Sequence, residues 1–348
     1  MQLSLNDAVL TRVSVHFAGN KGNGQNLVLS KHPLDINTDN RRIIRDAFLS
    51  NFNLESDKYK FHHLSSLDYN EAYNYCLQTL AETELFHENS ANIARHLYES
   101  TTHPKIKAGE LYVCYFEQCL VNGAFVDAMG IFKTETKSNF IDLDLNEQDV
   151  VFVMREGVEV SKFDKACLVF PTNAEDGFDV LIYDSNRGEE AVFWRETFLN
   201  VIPQATEYFQ TNKVMDMTRQ FIAKQLPQEL DIAKTEQIDL LNKSVEYFRA
   251  NDAFDKEQFA EQVFDDSNLI NAFRRFEASY SEANDIEIAD KFDISTQAVK
   301  KQARVFKSVL KLDRNFHVYI HGDKELIEKG YDERRGKSYY KIYFDEET

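Results

Sequence analysis

Residues able to do chemistry are scattered along this chain, and the densest group of like charge lies near its carboxyl end. Between Ser295 and Arg314 stand six cations, Lys300, Lys301, Arg304, Lys307, Lys311 and Arg314, against the single acid Asp313. Ser295 is a natural helix cap. The spacing after it predicts a helix with Lys300, Lys301, Arg304, Lys307 and Lys311 on one face and Val299, Val305, Phe306 and Leu310 as apolar anchors. Such a face suits phosphate contact, because each phosphate neutralised releases condensed counterions. The bland reading is a solvated amphipathic helix, since charge runs are usually exposed helix faces. Ala289, Ile294-Ser295 and Val299 also fit a loose helix-turn-helix spacing.

Other groupings promise less. Gly19-Asn20-Lys21-Gly22-Asn23-Gly24 has no Lys-Ser or Lys-Thr after its last glycine, so it reads as a hairpin loop with a mobile tip and not as a phosphate cradle. His62-His63, Glu84 with His87, and His317 with His321 lack the spacing of a metal site. No Gly-x-Ser-x-Gly is present, and with 58 acidic residues pairs such as Asp142 with Asp144 or Asp265 with Asp266 arise by chance. The sequence therefore predicts no catalytic residue, no metal ligand and no cofactor.

These residues have to be positioned by folded elements, and the composition supplies them. The 348 residues are 43% hydrophobic and include 27 Phe and 16 Tyr but only 12 Gly and 5 Pro, the profile of two or three ordinary folded domains. Cys76, Cys114, Cys119 and Cys167 form no CxxC pair, which suits a compartment where thiols stay reduced, so a cytoplasmic location is expected. No apolar run is long enough to span a bilayer, and no membrane partner is expected. The formal charge of −18 is uneven: from Lys291 onward, 13 Lys and Arg face 10 Asp and Glu, a net of +3 that leaves −21 on residues 1–290. Such an anionic body slows approach to another polyanion unless a local patch offsets it.

Along the chain, residues 8–17 and 26–30 predict a hairpin. Thr38 or Asp39 would cap a helix carrying Ile44, Phe48 and Leu49 inward, and further helices are expected over Tyr69–His87 and Ser90–Ser100. Short strand-like runs come next at 110–116, 124–132, 150–154, 165–170 and 178–183. The expected fold class is α+β: a mainly antiparallel sheet with helices over 1–188, a helical region over 189–290, and a small mixed α/β region over 291–348. In the last region strands are expected at 316–321 and 338–344, with a short helix over Asp323–Lys329.

Several segments together resemble a bacterial family, the NdpA or 37-kDa nucleoid-associated proteins. Ala8-Val9-Leu10-Thr11-Arg12-Val13, then Asn26-Leu27-Val28-Leu29-Ser30 and Pro33-Leu34-Asp35-Ile36 are similar to its opening hairpin. The runs Leu111–Phe116 and Phe125–Lys133 resemble its central strand pair. Tyr183–Asn186, Phe193-Trp194, Phe198-Leu199 and Tyr208-Phe209 are similar to its passage from sheet to helices, and Asn315–Ile320 and Tyr340–Phe344 to its closing strands. Residues 212–310 match least. The resemblance implies a protein of the bacterial nucleoid without catalytic residues to carry over. The charge pattern adds how DNA would be its partner: directly through the cationic strip or, as the −21 elsewhere allows, through a DNA-bound protein such as a topoisomerase. A homo-oligomer is also compatible. The rival classes are an acidic adaptor that contacts protein partners only and a metal-dependent nuclease or hydrolase.

Overall fold

A computed structural model describes residues 2–54, 56–145, 150–185, 192–230, 232–284, 286–306, 309–320 and 326–346. The chain divides into two compact units, Met1–Gln204 and Ala205–Thr348. The class is α+β, helices segregated from an antiparallel sheet whose strands largely follow one another in sequence.

The first unit contains β1 (Leu3–Ser4), β2 (Val9–Ala18), β3 (Leu27–Val28), α1 (Thr38–Leu49), β4 (Lys58–Phe61), α2 (Glu71–Ala81), α3 (Phe86–Ser100), β5 (Gly109–Val121), β6 (Ala124–Thr134), β7 (Ser138–Leu145), β8 (Val150–Gly157), β9 (Lys165–Phe170), β10 (Asp179–Asp184) and β11 (Val201–Pro203). Its main sheet runs β11-β4-β10-β9-β6-β5-β2-β3, with β1 on β5, and its strands pair antiparallel throughout the described residues. Asn122 and Gly123, both at positive φ, close the two-residue turn that sets β5 against β6.

Both faces of this sheet are covered, which is why β5, β6 and β9 read as nearly unbroken apolar runs. Leu111, Val113, Tyr115, Met129, Ile131, Cys167 and Val169 face a core shared with α2, α3 and Trp194. Their neighbours Cys114, Phe116, Phe132, Leu168 and Phe170 face a second core under α1, where Phe48 lies 4.5 Å from Phe132 and 4.3 Å from Phe163 between ring centres. The sheet continues beyond residue 188 because β11 pairs with β4, holding Val201 opposite Phe61.

Details differ from the sequence expectations for local reasons. Asn37, not Thr38 or Asp39, caps α1, its side chain accepting from Asn40 N at 2.8 Å. The helix expected over Tyr69–His87 is broken at the extended Glu82, and its first part begins after Asn70, whose side chain accepts from Tyr73 N at 2.9 Å. The loop after β2 is tied down instead of loose. Asn20 is buried and donates to the carbonyls of His103 (2.9 Å) and Ile106 (2.5 Å), and Gly22 N donates to Thr101 O at 3.0 Å.

The second unit contains α4 (Glu207–Gln220), α5 (Lys234–Ala250), β12 (Ala253–Asp255), α6 (Lys256–Phe264), α7 (Ser267–Asn284), β13 (Lys291–Asp293), α8 (Thr296–Ala303), and the hairpins β14 (Val309–Leu312) with β15 (Phe316–Tyr319) and β16 (Ile327–Asp332) with β17 (Lys337–Ile342). A single aromatic-rich core holds its helices, with Phe254 stacked on Phe292 at 4.7 Å across the β12–β13 pair. The short helix expected over Asp323–Lys329 is replaced at its carboxyl end by a strand. Residues 321–325 lie outside the described residues, and Ile327–Lys329 begins β16, where cross-strand pairing with Tyr340–Ile342 supplies its backbone partners.

Candidate nucleic-acid interface

The cations expected on one helix fall on two elements, the end of a helix and a hairpin. Ser295 caps α8 as expected, its hydroxyl accepting from Ala298 N at 3.4 Å, and Ala298 and Val299 are buried. Lys300 and Lys301 occupy the last turn, where cations complement the helix dipole. Arg304 stands at the C-cap. There the expected single helix from Ser295 to Lys311 ends. Phe306 turns into the core of the helices, whereas Leu310 and Leu312 join a separate small cluster with Ile238 and Ile320. A period of two, not four, places those leucines together, so Lys311 lies on strand β14, paired with His317. Arg314 stands in the β14–β15 turn beside Asp313, which has positive φ. Lys307 lies outside the described residues.

Lys300, Lys301, Arg304, Lys311 and Arg314 are all exposed. Lys301 Nζ is 3.0 Å from Tyr208 Oη and 5.5 Å from the centre of its ring. Lys300, Arg304, Lys311 and Arg314 make no ion pair with a carboxylate among the described residues. Other cations of the unit are neutralised: Lys256 by Glu277 (2.9 Å) and Asp290 (2.6 Å), Lys291 by Asp255 (2.7 Å) and Arg275 by Glu229 (3.3 Å).

Some neighbours of the strip were not expected. Because side chains alternate along a strand, His317 and Tyr319 share the outer face of the β14–β15 hairpin with Lys311, and both are exposed. Their apolar partners Val318 and Ile320 lie inward, and that alternation is the signal by which the sequence could have revealed them. Tyr331 and Tyr339, on the last hairpin with Arg334, Arg335 and Lys337, are also exposed. The expected helix-turn-helix is not formed: Ala289 is in no helix, and β13 separates it from α8. The helices that do meet through a short turn are α6 and α7, at Asp265 and Asp266, and the cations on α7 are paired, Arg274 with Glu257 and Arg275 with Glu229.

Two side-chain contacts between serine and histidine lie elsewhere, where α3 meets β2. Ser14 Oγ and His87 Nδ1 are 2.8 Å apart, and His16 Nε2 is 3.0 Å from Ser90 Oγ. Ser30 N donates to His16 Nδ1 at 3.2 Å, so a neutral ring carries its proton on Nε2 and donates it to Ser90. Burial, with His87 and Arg95 nearby, pushes His16 down to about 4. With both hydroxyls buried, these pairs fasten α3 onto β2 and present no nucleophile to solvent. Among the described residues no three His, Cys, Asp or Glu side chains are grouped to hold a metal ion, and no helix is long and apolar enough to cross a membrane. His317 is paired to Lys311 on the hairpin, and His321 lies outside the described residues.

The family model described as nucleoid-associated protein YejK (NA37) matches residues 14–348. The chain belongs to that family. No curated protein matches it. Membership covers the sheet unit from mid-β2 onward and the whole helical unit, so the match includes residues 212–310, where the resemblance read from the sequence is thinnest. In this nucleoid-associated chain the fold is a covered antiparallel sheet followed by a helical unit that ends in cation-bearing hairpins.

Proposed function

We propose that this member of the nucleoid-associated YejK family binds DNA directly, without catalysis, and acts in the cytoplasm at the nucleoid. The contact surface is the strip of Lys300, Lys301, Arg304, Lys311 and Arg314, with Lys307 between its two segments in sequence. The observation that carries the reading is the unneutralised state of Lys300, Arg304, Lys311 and Arg314 among the described residues, in a chain whose net charge is −18. Exposed cations without a carboxylate partner are free to neutralise phosphates and release their condensed counterions. Tyr319 and His317 add flat rings beside Lys311, suited to contact with sugar or base without sequence readout.

The −21 on residues 1–290 favours a second reading, docking onto a DNA-bound protein such as a topoisomerase. Titration of a fluorescent duplex with the full chain at several salt concentrations separates the two. Direct binding weakens steeply as salt rises, and the docking reading gives no binding to naked DNA at any salt.

A further inference from the structure

The β7–β8 hairpin forms its own two-stranded sheet, apart from the nine-stranded one. Isolated hairpins of two strands are marginal in water unless a third layer covers them. The register places Ile141 opposite Met154 and Leu143 opposite Phe152, so these four side chains and Val150 share one face. All five are 58–63% exposed. On the reverse face Phe140, Val151 and Val153 accompany the ion pair of Arg155 Nε with Asp142 Oδ2 at 2.6 Å. One side of the hairpin is therefore apolar from Ile141 and Met154 toward its tip, with Asn139 and Glu156 at its base, and the other is mixed.

We infer that this apolar face is a dimerisation surface, covered by the same face of a second copy of the chain. Three observations choose that occupant. The five residues expose together roughly 600 Å² per copy, so stacking two such faces removes at most about 1,200 Å², which reaches the lower bound for a specific, stable interface. None of the five carries a charge or a hydrogen-bonding group, which is the composition of permanent self-association and not of a partner steered by charge. An apolar strand pair is also an aggregation hazard whenever it is bare, so its cover has to be present whenever the chain is made, as another copy is. A two-fold axis through the face lays Leu143 and Phe152 of one copy over Phe152 and Leu143 of the other, in the manner of two sheets packed face to face.

Self-association through this face is independent of DNA binding and can be measured without it. Sedimentation of the full chain across the micromolar range is expected to show a dimer, and the double variant Leu143→Lys, Phe152→Lys a monomer with an unchanged far-ultraviolet spectrum for the two cores. The four native cysteines are buried, so Phe152→Cys supplies a single reactive thiol. A short bis-maleimide is expected to join two copies through it. A monomeric native chain, a dimer that survives the double lysine substitution, or failure of Phe152→Cys to cross-link overturns the inference; the cross-link also decides the matter if the lysine variant does not fold.

Discussion

Glu135 Oε1 lies 2.6 Å from Lys133 Nζ, with both side chains withdrawn from water at the end of β6. Lys165, opposite Lys133 on β9, reaches the same carboxylate at 3.1 and 3.2 Å, so one buried acid serves two buried cations. Burial pushes the Lys133 ammonium below its ordinary range, with Glu135 opposing the shift; burial alone would raise Glu135, but the two lysines outweigh it and hold the carboxyl low. Glu135→Gln strands both cations, and a loss of about 3–5 kcal/mol in urea unfolding is expected. Replacing all three, as Lys133→Met, Glu135→Leu and Lys165→Met, is expected to recover most of it. A triple variant no more stable than Glu135→Gln would show that the ion cluster is needed for more than its own neutrality.

His16 makes stability depend on acid. Its folded value of about 4 lies below the ordinary 6.5, so between those two pH values the unfolded chain binds a proton that the folded chain refuses. Stability from this group is intact above 6.5, falls as pH drops toward 4, and falls no further beneath it, by at most about 3 kcal/mol. Urea titrations at neutral pH and near pH 5 should show the drop. His16→Gln, which keeps an amide in place of the ring, should flatten that part of the profile.

The strip's contribution to DNA affinity can be divided. Lys300→Ala with Arg304→Ala removes two cations from the helix end, and Lys311→Ala with Arg314→Ala two from the hairpin. If both segments touch phosphate, each pair lowers the slope of log affinity against log salt by about 2, and the quadruple variant by about 4. A slope unmoved by either pair retires this surface.

Phe254 is central to the aromatic core of the second unit, stacked on Phe292 and lying 5.7 Å from Phe248 and 5.4 Å from Phe259. Truncation to alanine leaves a cavity that neighbouring rings cannot fill. A cost of about 3–5 kcal/mol is expected, read as an earlier loss of helical circular dichroism on heating.

Much of the fold was legible because burial on both faces stamps strands as apolar runs: 110–116, 124–132, 165–170 and 178–183 all lie on or beside β5, β6, β9 and β10. Short strands were not. Lys58–Phe61 and Val201–Pro203 are too brief to show a period, and they exist because β10 offers an edge for β4 and β4 one for β11. β7 was hidden by Asp142 and Asp144, whose charges mimic a loop although their spacing of two is that of a strand. At the strip, Ser295 announced the cap and the cations were visible as a run. The end of α8 was not, because Val305, Phe306 and Leu310 satisfy a helical stripe until the leucines at 310 and 312 find their own cluster.

The loop from Gly19 to Gly24 closes on residues far along the chain. A methyl at Gly22 would meet the Thr102 carbonyl oxygen at 2.2 Å, and Asn20 has its carbonyl partners at 103 and 106. During synthesis, the first hairpin therefore has no seat until some eighty residues more have left the ribosome, since sequence-distant contacts bear a closure entropy that only their formation offsets. The amino-terminal strands must wait, and the late arrival of the segment after α3 sets when this half of the molecule can begin to consolidate.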